Sequence, residues 1–194
     1  MLKYFNPVER KSLKNFTNAL HDMLIKNHCT ERDIILICIG SDRATGDCLG
    51  PIVGHKLTTQ ENKKSGYIRL YGTLENPVHA KNLERTMKFI QLYYPDALVI
   101  AIDASLGVIE HVGYVTLGEG HLCPGVGVDK KLPTVGDIFI TGIVNISGFS
   151  SQTLLQTTHL NLVMKLADFI SSGLTGCLQQ IQPSQFRSPL QCAE

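Results

Sequence analysis

The sequence carries little net charge. Its 194 residues include 18 Lys and Arg against 17 Asp and Glu, which gives a formal net charge of +1 at pH 7. A broad nucleic-acid footprint needs clustered basic residues, and attraction to an anionic membrane surface needs them too. We therefore expect neither a nucleic acid nor a membrane as a partner of this protein.

A long apolar run is missing as well. The longest runs, residues 34–39 and 97–102, are only as long as a β-strand, whereas a membrane-spanning helix needs about 20 apolar residues. Residues 1–16 carry charged and polar side chains where a secretory signal would have its apolar core. We therefore expect a cytoplasmic protein.

Paired cysteine motifs are also absent. The six cysteines lie at positions 29, 38, 48, 123, 177 and 192, and no two of them form a CxxC motif. Free thiols are the rule in proteins that are not exported. The sequence therefore predicts no disulfide bonds.

Helical and strand-like apolar patterns alternate along the chain. The runs at residues 34–39 and 97–102 are almost continuously apolar, which is typical of strands in parallel sheets that are buried on both faces. The alternation predicts one α/β domain over residues 1–172, a three-layer sandwich with a mostly parallel central sheet of about five strands. Residues 173–194 are rich in Gln, Ser and Pro and are expected to form a flexible tail.

The element boundaries follow from capping residues and apolar spacing. The first helix is predicted to begin at Asn6 as N-cap, with Pro7 at the first helical position. Strands are predicted over residues 33–39, 67–71, 97–102, 111–117 and 137–146. The other helices are predicted over residues 51–59 and 151–171, and around Leu83 to Tyr94.

Two aspartates follow the two most apolar strands. Asp103 comes directly after residues 97–102, and Asp47 lies in the glycine-rich loop after residues 33–39. Parallel sheets bind ligands beyond the carboxyl ends of their strands, so both side chains are expected in one crevice. Two close carboxylates share a proton, which lets one act as a base toward water while the other polarises a carbonyl group. Asp47 and Asp103 are the predicted catalytic pair.

Other interpretations of these residues stay open from the residues alone. Either aspartate can serve as a helix cap or turn residue, and the pair can hold a divalent metal. A nucleophilic cysteine or a metal site near Cys48, His121 and Cys123 has no supporting ligand spacing. The first loop has neither the Walker spacing nor GxGxxG, which argues against phosphate binding.

Three segments resemble the signatures of a known family. GSDRATGDCLGP over residues 40–51, IAIDA over residues 100–104 and PGVGVDKK over residues 124–131 are similar, in order and spacing, to the germination protease family of spore-forming bacteria. The similarity is strongest to its shorter sporulation branch, the spore protease YyaC family. It covers most of the chain, from residue 34 to the last helix.

The resemblance implies a fold like that of hydrogenase-maturation endopeptidases. It implies an atypical aspartic peptidase of the sporulating cell or spore core that acts on small acid-soluble spore proteins, with Asp47 and Asp103 matching the two essential aspartates. Thr45, Gly125 and Gly127 lie in the matching blocks and become candidates for contacting a peptide or protein substrate.

The resemblance also defines two alternatives. In the maturation relatives the first of these positions helps to bind nickel with an aspartate and a histidine, so a metal site at Asp47, Asp103 and His121 is one alternative to a peptidase without cofactor. A non-catalytic spore structural or interaction protein is the other, and assembly into a homo-oligomer is left open.

Overall fold

The computed structural model describes residues 2–59, 67–125, 132–148 and 150–181. The strands are β1 (Leu2–Phe5), β2 (Ile34–Cys38), β3 (Ile68–Tyr71), β4 (Leu98–Gly107), β5 (Val115–Glu119) and β6 (Ile138–Ile146). The helices are α1 (Ser12–Lys26), α2 (Leu49–Thr59), α3 (Leu83–Tyr93), α4 (Ser151–Gln156) and α5 (Leu160–Leu178).

All six strands form one mixed sheet in the order β1-β5-β6-β4-β2-β3. The strands β3, β2, β4 and β6 run parallel, whereas β5 is antiparallel to β6 and β1 is antiparallel to β5. The two most apolar strands, β2 and β4, lie side by side with Cys38 opposite Ile102. The carboxyl ends of β2 and β4 therefore open at the same edge of the sheet.

Helices cover both faces of this sheet. The larger core packs α1, α2 and α5 on one face, and its fully buried side chains include Phe16, Leu20, Ile100 and Leu166. On the opposite face the side chains of α3 join a smaller core around Ile37. The predicted α/β sandwich with a mostly parallel sheet is confirmed.

The N-terminal prediction was wrong. Residues 2–5 form β1, a sixth strand that pairs with β5, and α1 begins only at Ser12. The Asn6 side chain accepts a hydrogen bond from the backbone N–H of Val8 at 3.1 Å, which makes a local turn. A turn of this kind competes with helix initiation, so Asn6 connects β1 to α1 and does not cap α1.

The end of the chain also differs from the prediction. The expected single helix over residues 151–171 is two helices, because the hydroxyls of Thr157 and Thr158 bond to the carbonyls of Thr153 and Leu154 and His159 has an extended backbone. The domain does not end at residue 172 either, since α5 continues to Leu178 with buried side chains. Of the predicted tail, residues 173–181 are packed and residues 182–194 lie outside the described part.

Strand β4 is longer than expected. It continues past Asp103 to Gly107 because β6 runs beside it, with a register shift between Ser105 and Leu106. Asp103 therefore lies within a strand, opposite Thr141 of β6. Within the described residues, no helix combines the length and apolar character that crossing a membrane requires.

Candidate active site

The loop after β2 is shaped by Gly40. Its backbone φ of +139° is one that residues with a side chain rarely adopt. A Cβ atom at this position would overlap the carbonyl oxygen of Asp47. The Gly40 N–H donates to the carbonyl of Val78 at 2.8 Å. Glycine at this position lets the chain fold back so that Asp47 returns over the end of β2.

Helix α2 holds this loop against the sheet through two glycines. A Cβ atom on Gly50 would overlap the backbone of Ile39, and one on Gly54 would overlap the carbonyl oxygen of Gly72. Backbone therefore meets backbone along this contact. The helix starts directly after Cys48, so its close approach fixes the height of Asp47 above the sheet edge.

Asp47 is a half-buried carboxylate that is held by Ser41. The backbone N–H of Ser41 donates to Asp47 Oδ2 at 2.8 Å. Burial raises the pKa of Asp47, and this rise is opposed by hydrogen bonds from the side chain and backbone of Ser41 and by the charge of His79. These donors favour the ionised form of Asp47.

Asp103 is almost completely buried, with 7% of its surface exposed. Its Oδ1 accepts a hydrogen bond from the backbone N–H of Ala104 at 2.8 Å. Burial raises the pKa of Asp103 well above its ordinary value, and the negative charge of Asp47 raises it further. Asp103 therefore holds a proton more readily than Asp47 does.

Both carboxyl groups open into one cavity of about 370 Å³ at the carboxyl edge of the parallel strands. Its wall is formed by the loops after β2 and β3, by residues 103–106 of β4, by residues around Gly125, and by the side of α4 that carries Gln152 and Gln156. The cavity is lined by more apolar than polar surface. It is a concave site with a few convergent polar groups, as binding sites usually are.

Residues 4–173 match the family model described as "Protein of unknown function (DUF1256)". The chain belongs to the DUF1256 family. It is 42% identical over 173 residues to the protein described as "Uncharacterized protein YyaC" from Bacillus subtilis (strain 168). That match covers 89% of this chain and 82% of the relative, which confirms the resemblance to the YyaC family.

Among solved structures, the chain is similar to the [NiFe] hydrogenase maturation protease HycI from Thermococcus kodakarensis KOD1. The TM-score is 0.48 and the sequence identity is 15%, with 81% of this chain and 99% of that chain covered.

The two aspartates of this DUF1256 chain are close enough for the charge of one to act on the other. Each raises the cost of ionising the other, and burial adds to that cost most strongly at Asp103. Such a pair binds one proton over a wide pH range. Because Ser41 donates to Asp47 and Asp103 is the more deeply buried of the two, a proton shared by the pair is held more readily by Asp103. The pair thus offers one carboxylate as a base and one carboxylic acid as a donor.

Of the predicted substrate-contacting residues Thr45, Gly125 and Gly127, only one is found at the cavity within the described part of the chain. Gly125 lines the cavity, whereas Thr45 precedes a 3₁₀ turn (Gly46–Cys48) and is not among the lining residues. Gly127 lies outside the described residues.

The structure does not bring His121 to the aspartate pair. Its Nδ1 atom lies at hydrogen-bond distance from the carbonyl oxygen of Gly136, and His121 does not line the cavity. Among the residues with described positions, no cluster of three His, Cys, Asp or Glu side chains has the geometry for a metal ion. The predicted trio of Asp47, Asp103 and His121 is therefore not assembled as a set of ligands.

His79 is a polar residue of the cavity that none of the sequence motifs singles out. It lines the cavity from the loop between β3 and α3, and its charge acts on Asp47. The signal was its position in the loop after β3, because the loops that follow parallel strands reach the same sheet edge as Asp47 and Asp103.

A chain of hydroxyl groups runs beside Asp103. The hydroxyl of Thr141 lies 3.0 Å from that of Ser105, which lines the cavity, and 2.7 Å from that of Thr116. Thr116 and Thr141 are buried, so this network satisfies polar groups beneath the site. It orients the Ser105 hydroxyl at the cavity wall, two residues after Asp103.

Proposed function

We propose that this protein is a peptidase in which Asp47 and Asp103 act as one acid–base unit on a water molecule and a peptide bond. The observation that carries the proposal is the shared cavity, where one carboxyl group accepts a hydrogen bond from Ser41 and the other is almost completely buried. The match of both residues to the essential aspartates of the germination protease family supports it.

Asp47 and Asp103 together supply and take up every proton that the two steps of hydrolysis transfer. Asp47 takes a proton from water while the water oxygen bonds to the peptide carbonyl carbon and Asp103 gives its proton to the carbonyl oxygen. In the second step Asp47 protonates the leaving amine, the C–N bond breaks, and a hydroxyl proton returns to Asp103. Both residues end in their starting states, as in carboxylate pairs that share one proton. The cycle needs no metal, because the pair supplies both base and acid.

The substrate that we propose is a protein of the spore. The resemblance to germination protease and the Bacillus subtilis relative favour small acid-soluble spore proteins, cleaved in the sporulating cell or spore core. The apolar lining of the cavity is suited to apolar side chains next to the cleaved bond.

The test compares wild-type protein with Asp47→Asn, Asp103→Asn and the double variant. Cleavage of purified small acid-soluble spore proteins and of a peptide library is followed by mass spectrometry. Each single variant is expected to lose about 10²- to 10⁴-fold in rate, because a positioned acid or base contributes that much. The double variant is expected to lose no more than a single one, since residues that act as a unit are non-additive.

Asp42→Asn is the matched control. Asp42 is exposed in the same loop and does not line the cavity, so this variant is expected to keep the wild-type rate. Circular dichroism tests whether each variant is folded. Folded Asp47→Asn and Asp103→Asn proteins with wild-type cleavage would exclude the pair as catalytic. A wild-type protein that cleaves neither substrate class would favour the non-catalytic interpretation.

A further inference from the structure

His79 is held in place by backbone contacts on both of its sides. The preceding residue, Val78, bridges Ile39 beyond the end of β2 and accepts a hydrogen bond from Gly40. The His79 N–H donates to Asn82 Oδ1 at 2.8 Å, and Asn82 Nδ2 donates to the carbonyl of Pro77 at 2.9 Å. The imidazole therefore projects from a loop that is fixed relative to the aspartate pair.

The Nδ1 atom of His79 is buried and has no hydrogen-bond partner among the described residues. In the described part of the chain, the only other buried side-chain nitrogen or oxygen without one is Nε of Arg69, whose guanidinium lies 4.4 Å above the Tyr94 ring. A buried polar atom without a partner is unfavourable, and native proteins leave such atoms mainly where function requires them. Because His79 lines the cavity, a molecule bound there can supply the missing partner.

We propose that His79 is a third catalytic residue, whose Nδ1–H donates a hydrogen bond to the carbonyl oxygen of the peptide group bound at Asp47 and Asp103. This inference rests on the proposed peptidase function. It assigns to this side chain the stabilisation of the charge that develops on the carbonyl oxygen during water attack.

The other donors around the cavity are less suited to this role. A carbonyl oxygen has two lone pairs, and protonated Asp103 engages one of them. The hydroxyl of Ser105 is already engaged by Thr141 and the carbonyl of Gly142. Arg43 and Lys81 are exposed at the cavity mouth, where their charges are solvated. Gln152 and Gln156 are exposed on α4. Among the described side chains that line the cavity, His79 is the one with a buried nitrogen that has no hydrogen-bond partner.

The test uses two variants that differ at the donor. In His79→Asn the amide nitrogen is bonded to Cγ, as Nδ1 is in histidine, so an N–H stays near its original position. His79→Leu fills similar space without a donor. With the peptide substrates above, His79→Leu is expected to lose about 10²- to 10³-fold in kcat, the usual effect of removing one such donor, with KM nearly unchanged. His79→Asn is expected to stay within about tenfold of wild-type kcat.

His55→Ala is the control, because His55 is exposed on α2 and does not line the cavity. A structural role for His79 would lower the melting temperature of both variants, whereas we expect neither to melt below wild type. Equal losses of kcat in His79→Leu and His79→Asn would overturn the donor role. Wild-type kcat in His79→Leu, with Asp47→Asn inactive, would overturn this inference and leave the peptidase proposal standing.

A second readout does not depend on cleavage. The pKa of Asp47, measured by carboxyl ¹³C NMR, is expected to be higher in His79→Leu than in wild type, because the positive charge that favours its ionised form is gone. An unchanged Asp47 pKa would show that His79 does not face the pair and would overturn the inference. A wild-type protein without any cleavage would overturn both proposals.

Discussion

Adding one methyl group at Gly173 tests how α5 packs against α1. A Cβ atom at this position would overlap the ring of Phe16, which is fully buried. That ring is held between Phe5 at 5.3 Å and Phe169 at 5.3 Å, measured between ring centroids. It cannot rotate away without disturbing both neighbours, so Gly173→Ala forces the two helices apart.

Two opposing effects set the change in unfolding free energy that Gly173→Ala causes. Overpacking a well-packed core costs about 1–3 kcal/mol, and the contact with a wedged ring places this site in the upper part of that range. Replacing Gly by Ala inside a helix returns about 1 kcal/mol. Gly173→Ala is therefore expected to lower the free energy of unfolding by about 1–2 kcal/mol, which corresponds to a melting temperature lower by about 2–8 °C.

Gly176 provides a matched control three residues later in the same helix. A Cβ atom there would meet only Thr17 Cγ2, at 3.7 Å, which is an ordinary contact. Gly176→Ala is expected to raise the free energy of unfolding by up to about 1 kcal/mol. Urea unfolding of both variants measures the two changes in unfolding free energy, which are expected to have opposite signs. If both glycine variants gain the same stability, α5 does not pack on α1 beyond residue 172 as described.

Two further predictions concern ionisation and thiols. Asp103→Asn is expected to gain stability relative to wild type as the pH rises from about 4. Burial raises the folded-state pKa of Asp103, so the wild-type carboxyl group loses its stabilising contribution as the pH rises through that pKa. Urea unfolding at several pH values measures this difference, and a difference that does not vary with pH would contradict it. For the thiols, exposed Cys123 is expected to react with an alkylating reagent in the native protein, whereas buried Cys29, Cys38 and Cys177 react only after unfolding. Mass spectrometry of rapidly alkylated protein would refute this if a bridged pair appeared or if the buried thiols reacted first.

The central strands and the aspartate pair could be predicted because burial on both faces leaves a direct mark in the sequence. The runs in β2 and β4 are continuous in apolar residues, and all five residues of β2 are buried. An aspartate that interrupts such a run is conspicuous. The convergence of Asp47 and Asp103 then follows from the rule that parallel strands open at one edge.

The remaining features depend on contacts that sequence patterns do not specify. Strand β1 buries only Phe5 of its four residues, so it has no apolar run to reveal it. A glycine at position 173 is typical of the end of a helix. In the structure it lies within α5, because the ring of Phe16 leaves no space for a Cβ atom there. The position of His79 at the cavity depends on β3 pairing beside β2, which no local pattern determines.

The glycine contacts of α2 have a consequence for how freely the rest of the protein can change. Gly50 and Gly54 touch the carbonyl groups of Ile39 and Gly72, atoms that every amino acid possesses. Main-chain atoms therefore constrain the position of Asp47, in addition to the core side chains of α2. We expect hydrophobic substitutions that conserve the volume of the core between α1 and α5 to leave the distance between the carboxyl groups of Asp47 and Asp103 unchanged.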